Sequence, residues 1–302
     1  MEKIKAFRYR KNISVNDFVR ELDGLGFQAR KLGQAIDVIE SMIKDKDCKV
    51  FLGVAGALVP GGMKEILVDM ITSGWIDVLV ITGANLTHDL IEDFGFNHLI
   101  GHESMDDYKL NKKGLVRMYN TLMPNKAYEK LEEFFKKNWE EISKQESIKD
   151  FLWAIGKLSP GNGILKACYN KKIPIFCPAI SDSGIGLMMW SQLAQGKKAE
   201  LKALEDLKEI LDIAWTAKRT GVIYLGGGTP KNYIQQAMQF SKEANYGVQI
   251  TMDRAEFGGS SGAELKEGIS WGKLSRKAKN INLACDITIA LPLIYTALKQ
   301  RI

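Results

Sequence analysis

Short apolar runs rich in β-branched residues recur along the chain, at Lys49–Val54, Ile76–Thr82, Ile173–Cys177, Val222–Leu225, Val248–Met252 and Ile281–Ala290. Each is apolar for most of its length, the pattern of a strand covered on both faces. Between the first two runs, Met63, Ile66, Leu67, Met70 and Ile71 keep helical spacing within Gly61–Ser73. Lys231–Ala244 is helical between the fourth and fifth runs, and longer helices are predicted over Ala127–Gln145 and Lys198–Arg219. The alternation predicts an α/β fold, a mostly parallel, Rossmann-like sheet with helices on both faces. No linker, low-complexity tract or repeat interrupts it, so one domain over residues 46–302 is expected, preceded by a charged, partly helical arm over residues 1–45.

Composition narrows the function classes. With 45% hydrophobic residues among 302 there is enough apolar surface for a full core, which disfavours disorder. The net charge of +6 is small, and many lysines sit beside acids, as in Lys130-Leu131-Glu132-Glu133. No basic stripe with aromatic or motif support is evident, so nucleic acid is not an expected partner. Cys48, Cys168, Cys177 and Cys285 are spread without a C-x-x-C pair and read as buried free thiols. His98 and His102 lie four apart around Gly101 without a third ligand, and no metal centre is expected. Residues 1–5 lack a leader-like apolar stretch. Asn282, Asp286 and Pro292 interrupt the apolar tail, which argues against a membrane span and for the cytoplasm.

Four of the strand ends carry small residues, where the backbone of a doubly wound sheet approaches a ligand. They are Gly53–Gly62, Thr82–Asn85, Pro178–Gly184 and Gly226–Pro230. In the last, Thr229 suits a helix N-cap and Pro230 the first helical position. Glycines leave room for a pyrophosphate, and a following helix offers free N–H groups to it. G-x-G-x-x-G is absent, and the same turns serve as ordinary βα connections. Asp182, Asp253 and Asp286 near strands suit either ribose hydroxyls or helix caps.

The Gly/Ser-rich run Glu256–Ala263 leads into Glu267-Gly268-Ile269-Ser270-Trp271-Gly272-Lys273. An ammonium beside an indole is partly desolvated, which favours the free, nucleophilic amine. A surface lysine next to a core tryptophan is the alternative. The triple glycine, Ser261-Gly262-Ala263, Glu267 and Ser270–Lys273 resemble the C-terminal half of deoxyhypusine synthase in order and spacing. The likeness extends over roughly residues 50–295 through Phe51–Gly62, Asp77–Leu90 and Ile173–Gly186. The resemblance implies an NAD-dependent aminobutyl transferase. Spermidine is oxidised, its butylamine part is held as an imine on Lys273, and it passes to a lysine of the hypusine-containing translation factor. It further implies that Glu267, Trp271, Asn232 and His88 stand in polyamine-facing positions. The implied NAD positions are Gly56, Ala57, Thr82, Gly83, Ala84, Asp182, Gly227, Asp253, Asp286 and Ile287. A homotetramer with sites between paired subunits is implied as well.

The chain departs from the eukaryotic pattern of the family. Leu187 stands in place of an acidic residue, Asn232 of a histidine, Ser260 of an aspartate, and Thr87-His88 of a glutamate pair. Polyamine nitrogens are protonated near neutral pH and need anionic partners when buried. Glu256, Glu264 and Asp89 are the candidates to replace the lost carboxylates. Two other readings follow from the departures: a homospermidine synthase with putrescine as acceptor, and a non-catalytic NAD- or polyamine-binding protein.

Overall fold

A computed structural model describes residues 3–302. In chain order it forms α1 (Val15–Asp23), α2 (Phe27–Lys44), β1 (Cys48–Val54), α3 (Lys64–Thr72), β2 (Val78–Ile81) and α4 (Gly83–Asp93). Next come β3 (Leu99–Ile100), α5 (Asp107–Lys112), β4 (Leu115–Met118), β5 (Thr121–Pro124), α6 (Lys126–Ile142), α7 (Ile148–Leu158) and α8 (Ile164–Lys171). The remainder is β6 (Ile175–Phe176), α9 (Gly184–Ala194), α10 (Ala203–Thr216), β7 (Arg219–Leu225), α11 (Gly228–Gln239), β8 (Ala244–Ile250), β9 (Leu274–Leu283) and α12 (Ile287–Lys299). Two 3-10 segments, Ala255–Phe257 and Leu265–Trp271, lie between β8 and β9. Among the described residues no helix is long and apolar enough to cross a membrane.

The chain divides into two compact units. The first holds residues up to Ala55, Trp75–Val80 and Leu207–Ile302. Its strands run in the order β2-β1-β7-β8-β9, and the pairs β1–β7, β7–β8 and β8–β9 are parallel. Helices cover both faces. Gly53 pairs with Tyr224, and a Cβ at Gly53 would stand 3.2 Å from Ile234 of α11. Gly221 pairs with Val50 on the other face, where a Cβ would meet Met42 of α2 at 2.9 Å. Both glycines are sites of close helix approach, which a side chain would prevent. Phe51, Leu52, Val222, Tyr224 and Val248 are all but inaccessible, the sandwiched core that the apolar runs predict.

The second unit holds Gly56–Gly74 and Ile81–Asp206. It is mainly helical, with α3, α4 and α6–α9, and carries a small antiparallel sheet of order β3-β5-β4. Phe135, Phe151, Leu152 and Ile155 of α6 and α7 are buried without residue. Ser147 and Ser183 cap α7 and α9 by accepting from Asp150 N and Gly186 N, each at 3.0 Å.

Three expectations change. The run Ile281–Ala290 is strand only to Leu283, because the Asp286 carboxylate accepts the Thr288 N–H at 2.8 Å and starts α12. The helix within Gly61–Ser73 starts at Lys64, since Gly62 has φ +83. The small sheet was not anticipated: its strands are two to four residues long, too short to show a period.

Candidate functional site

Lys273 sits in the first unit, at the joint between the Leu265–Trp271 turn of 3-10 helix and β9. Gly272 ends that turn at φ +68, a left-handed conformation that suits glycine. The Lys273 N–H then donates to Gly268 O at 2.8 Å, and Ala244 N–H donates to Lys273 O at 3.2 Å. The backbone of this residue is thus fixed on both sides, and its half-buried side chain carries Nζ to 4.9 Å from the centre of the Trp271 ring. A cavity of about 230 Å³ opens there. Asn232 and Gln235 of α11 line one side, the Gly258–Ala263 loop another, and Glu264, Glu267 and Trp271 the rest.

Lys231 underlies the loop. It is almost wholly buried, and its Nζ donates to Ser260 O at 2.6 Å and Ala263 O at 2.7 Å. Burial pushes its ammonium down to about 8, with Glu267 pulling upward and Lys273 adding to the depression. The loop also reaches α11. Thr229 does not cap this helix as its sequence suggests; the helix opens at Gly228, two residues before Pro230, and Thr229 is exposed. Ser261 Oγ accepts the Gly228 N–H at 2.8 Å instead. A Cβ on Gly227 would come within 2.3 Å of Ser261 Cα, so only glycine lets the loop lie this close.

Of the expected polyamine-facing residues, Glu267, Trp271 and Asn232 therefore meet Lys273 at one cavity. Ser260 and Glu264 line it as well, whereas Glu256 is exposed in the Ala255–Phe257 segment. Gly227 touches the same loop. Asp253 is exposed beyond β8, and Asp286 and Ile287 open α12. Gln235 and Lys231 were missed. Gln235 lies three residues after Asn232, one helical step along the same face, which is a legible signal. Lys231 carried none, since its partners are carbonyls about thirty residues away.

The second unit holds Gly56, Ala57, Thr82, Gly83, Ala84, Asp182 and His88. Asn85 ties Gly56 to Thr82. Fully buried, it donates through Nδ2 to Gly56 O at 2.7 Å and Thr82 Oγ1 at 2.9 Å, and it accepts the Val59 N–H at 3.0 Å. Gly56 has φ +76 with open space where a Cβ would stand. Thr82 gives α4 no side-chain cap. A Cβ on Gly83 would meet Ser183 at 2.6 Å, so the Ser181–Ser183 segment closes on that turn, with Asp182 exposed.

His88 is engaged locally: its Nδ1 lies 2.9 Å from His98 Nε2, and His98 Nδ1 lies 2.7 Å from Glu92. Burial, with His98 alongside, lowers the His88 imidazole to about 4. Asp89 is spent on the fold. It accepts Ile164 N–H at 2.8 Å and Leu165 N–H at 3.0 Å at the start of α8 and faces buried Lys64 at 3.3 Å. Burial raises its carboxyl to about 6. Cys48, Cys168 and Cys177 are buried free thiols, and burial pushes all three upward.

A parallel sheet covered by helices on both faces, with a lysine-bearing, carboxylate-lined cavity beside its outer strand, marks a class of ligand-binding α/β proteins. Comparison with known families makes it specific. Residues 17–298 match the family model described as deoxyhypusine synthase. "Probable deoxyhypusine synthase 1" of Methanosarcina acetivorans is 39% identical over 302 residues, covering 99% of this chain and 95% of that one. "Probable deoxyhypusine synthase 2" of Archaeoglobus fulgidus is 40% identical over 279 residues, covering 89% and 93%. The fold is shared with a crystal structure described as a candidate deoxyhypusine synthase of Entamoeba histolytica, at TM-score 0.64 and 19% identity, covering 97% of this chain and 96% of that one. The chain belongs to the deoxyhypusine synthase family and is a transferase.

Proposed function

We propose that this chain moves the butylamine part of spermidine, through an imine on Lys273, to a lysine of the hypusine-containing translation factor, with NAD as cofactor. The observation that carries the reading is the Lys273 amine, held by a fixed backbone against the Trp271 ring in a cavity with Glu267. A carboxylate suits a polyamine ammonium, and an indole face suits a cation or an alkyl chain. Lys273 would attack the electrophilic carbon of the oxidised donor, and diaminopropane would leave. The acceptor amine would attack the same carbon and free Lys273. Glu267 and Trp271 would hold the donor, and Lys231 would keep the loop over it.

The residues fit a dinucleotide. α4 starts without a side-chain cap, leaving N–H groups for phosphate, and Gly56 leaves space where a Cβ would stand. Exposed Asp182 and Asp253 suit ribose hydroxyls. The candidate NAD positions of the second unit are Gly56, Ala57, Thr82, Gly83, Ala84 and Asp182, and those of the first are Gly227, Asp253, Asp286 and Ile287. The bound cofactor would supply a hydride acceptor and later a hydride donor. The same reading makes the protein a cytoplasmic homotetramer.

Borohydride reduction of enzyme mixed with NAD and spermidine tests the reading. A butylamine adduct on Lys273, absent from Lys273→Ala, is expected, and so is labelling of the cognate translation factor. No adduct would leave a non-catalytic binding protein. An adduct with homospermidine from putrescine, and no labelled factor, would make the acceptor a small diamine.

A further inference from the structure

The strand that follows Lys273 has no part in this chemistry, yet its charge is lopsided. From Gly268 to Cys285 the chain carries Lys273, Arg276, Lys277 and Lys279 and not one Asp or Glu. β9 is the outer strand of its sheet. Its register breaks just past the lysine: Ala244 faces Leu274, but the next pair is Tyr246 with Lys279, so Ser275–Ala278 bulge out of the ladder. Arg276, Lys277 and Lys279 are exposed, and none takes part in an ion pair among the described residues.

Unneutralised cations within about a Debye length, roughly 8 Å, of one another sum to one local field. That field repels a free polyamine, so it does not serve donor capture. It attracts an acidic surface and speeds its encounter. Between Leu274 and Cys285 there is no aromatic side chain, so the edge lacks the stacking platform of a single-stranded nucleic-acid site. Lysines also guard open strand edges, but the bulge already spoils this edge for pairing.

We infer that Arg276, Lys277 and Lys279 form the docking surface for an acidic face of the protein acceptor and bring its amine to Lys273. This rests on the transferase reading above. The test compares wild type with Arg276→Ser/Lys277→Ser/Lys279→Ser and with the single Lys277→Glu, using the cognate translation factor. At low salt the acceptor KM should rise about tenfold in the triple variant, with kcat at saturating acceptor kept. Both variants should converge on wild type as salt is raised, and the spermidine adduct on Lys273 should form equally in all three enzymes. An unchanged acceptor KM would overturn the docking surface. So would a changed oligomeric state, which would put a second copy on this edge. Aggregation of the variants at unchanged KM would make the edge a guard, and binding of an RNA oligomer lost in the variants would make it a nucleic-acid site; either rejects the inference. Absence of the adduct in wild type would instead fail the transferase reading itself.

Discussion

Lys231→Met isolates what a buried ammonium does beneath the cavity. Methionine keeps much of the stem volume, so the change is chiefly the loss of Nζ. Two charge-assisted hydrogen bonds disappear, to Ser260 O and Ala263 O, each contributing about 1.5–3 kcal/mol. Against them stands the net effect of its surroundings, burial first, which lowers the group from 10.5 to about 8. At about 1.4 kcal/mol per pH unit, that is a penalty of about 3 kcal/mol on the charged form. The two largely offset, and near neutral pH the substitution should cost only about 1–2 kcal/mol.

The pH dependence is the sharper signature. The folded-state value lies below the unfolded one, so between about 8 and 10.5 the unfolded chain binds more protons. Wild-type stability from this group therefore rises with pH across that window, whereas below it the penalty is fully present. The neutral amine still has two N–H groups for its two carbonyls. The cost of Lys231→Met, measured by urea unfolding, should grow by about 2 kcal/mol between about pH 7.5 and about pH 10. A cost that stays flat over this range would refute the reasoning. It would mean that Nζ is solvated and does not hold the loop.

Two other substitutions probe the turns. Asn85→Ala strands the Gly56 carbonyl and the Val59 N–H, so urea unfolding should show a loss of about 2–4 kcal/mol, and NADH fluorescence titration should show weaker binding; stability within about 0.5 kcal/mol of wild type would contradict the role given to Asn85. Gly227→Ala sets a methyl 2.3 Å from Ser261 Cα, which should destabilise by about 1–3 kcal/mol and lower the yield of trapped adduct on Lys273; full yield would show that the loop can move away without loss.

The apolar runs made the sheet legible because a strand covered on both faces leaves a dense local signal, as in Phe51-Leu52 and Val222-Ile223. Lys273 stood out through the likeness of Ser270–Lys273 to the family motif; Gly272 and Trp271 beside it left a surface lysine as the alternative. What was not legible is long in sequence separation. Ser261, and not adjacent Thr229, meets the first N–H of α11. Lys231 reads as one more helical lysine until the loop carbonyls are placed over it. β9 begins at Leu274 in a stretch whose cations break the apolar pattern, with Arg276 and Lys277 in the bulge at Ser275–Ala278 and Lys279 back in the ladder.

If the cavity binds a polyamine as proposed, one of its acids must stand in for the aspartate that the family likeness leads one to expect at Ser260. Asp89 is excluded by its own partners, being fully buried and committed to α8 and Lys64. Glu264 and Glu267 both line the cavity. Glu264 already faces Lys266 Nζ at 2.8 Å, so a donor ammonium must compete with a cation in place. Glu267 forms no ion pair among the described residues, and its charge is felt by buried Lys231. Glu267→Gln should therefore raise the donor KM about fivefold, the scale of a solvent-accessible ion pair, while Glu264→Gln changes it less. Steady-state spermidine kinetics at saturating acceptor measure both. A larger effect at Glu264 would reverse the assignment: Lys266 would then yield its partner when the donor enters, and Glu264 would be the carboxylate that replaces the family's aspartate.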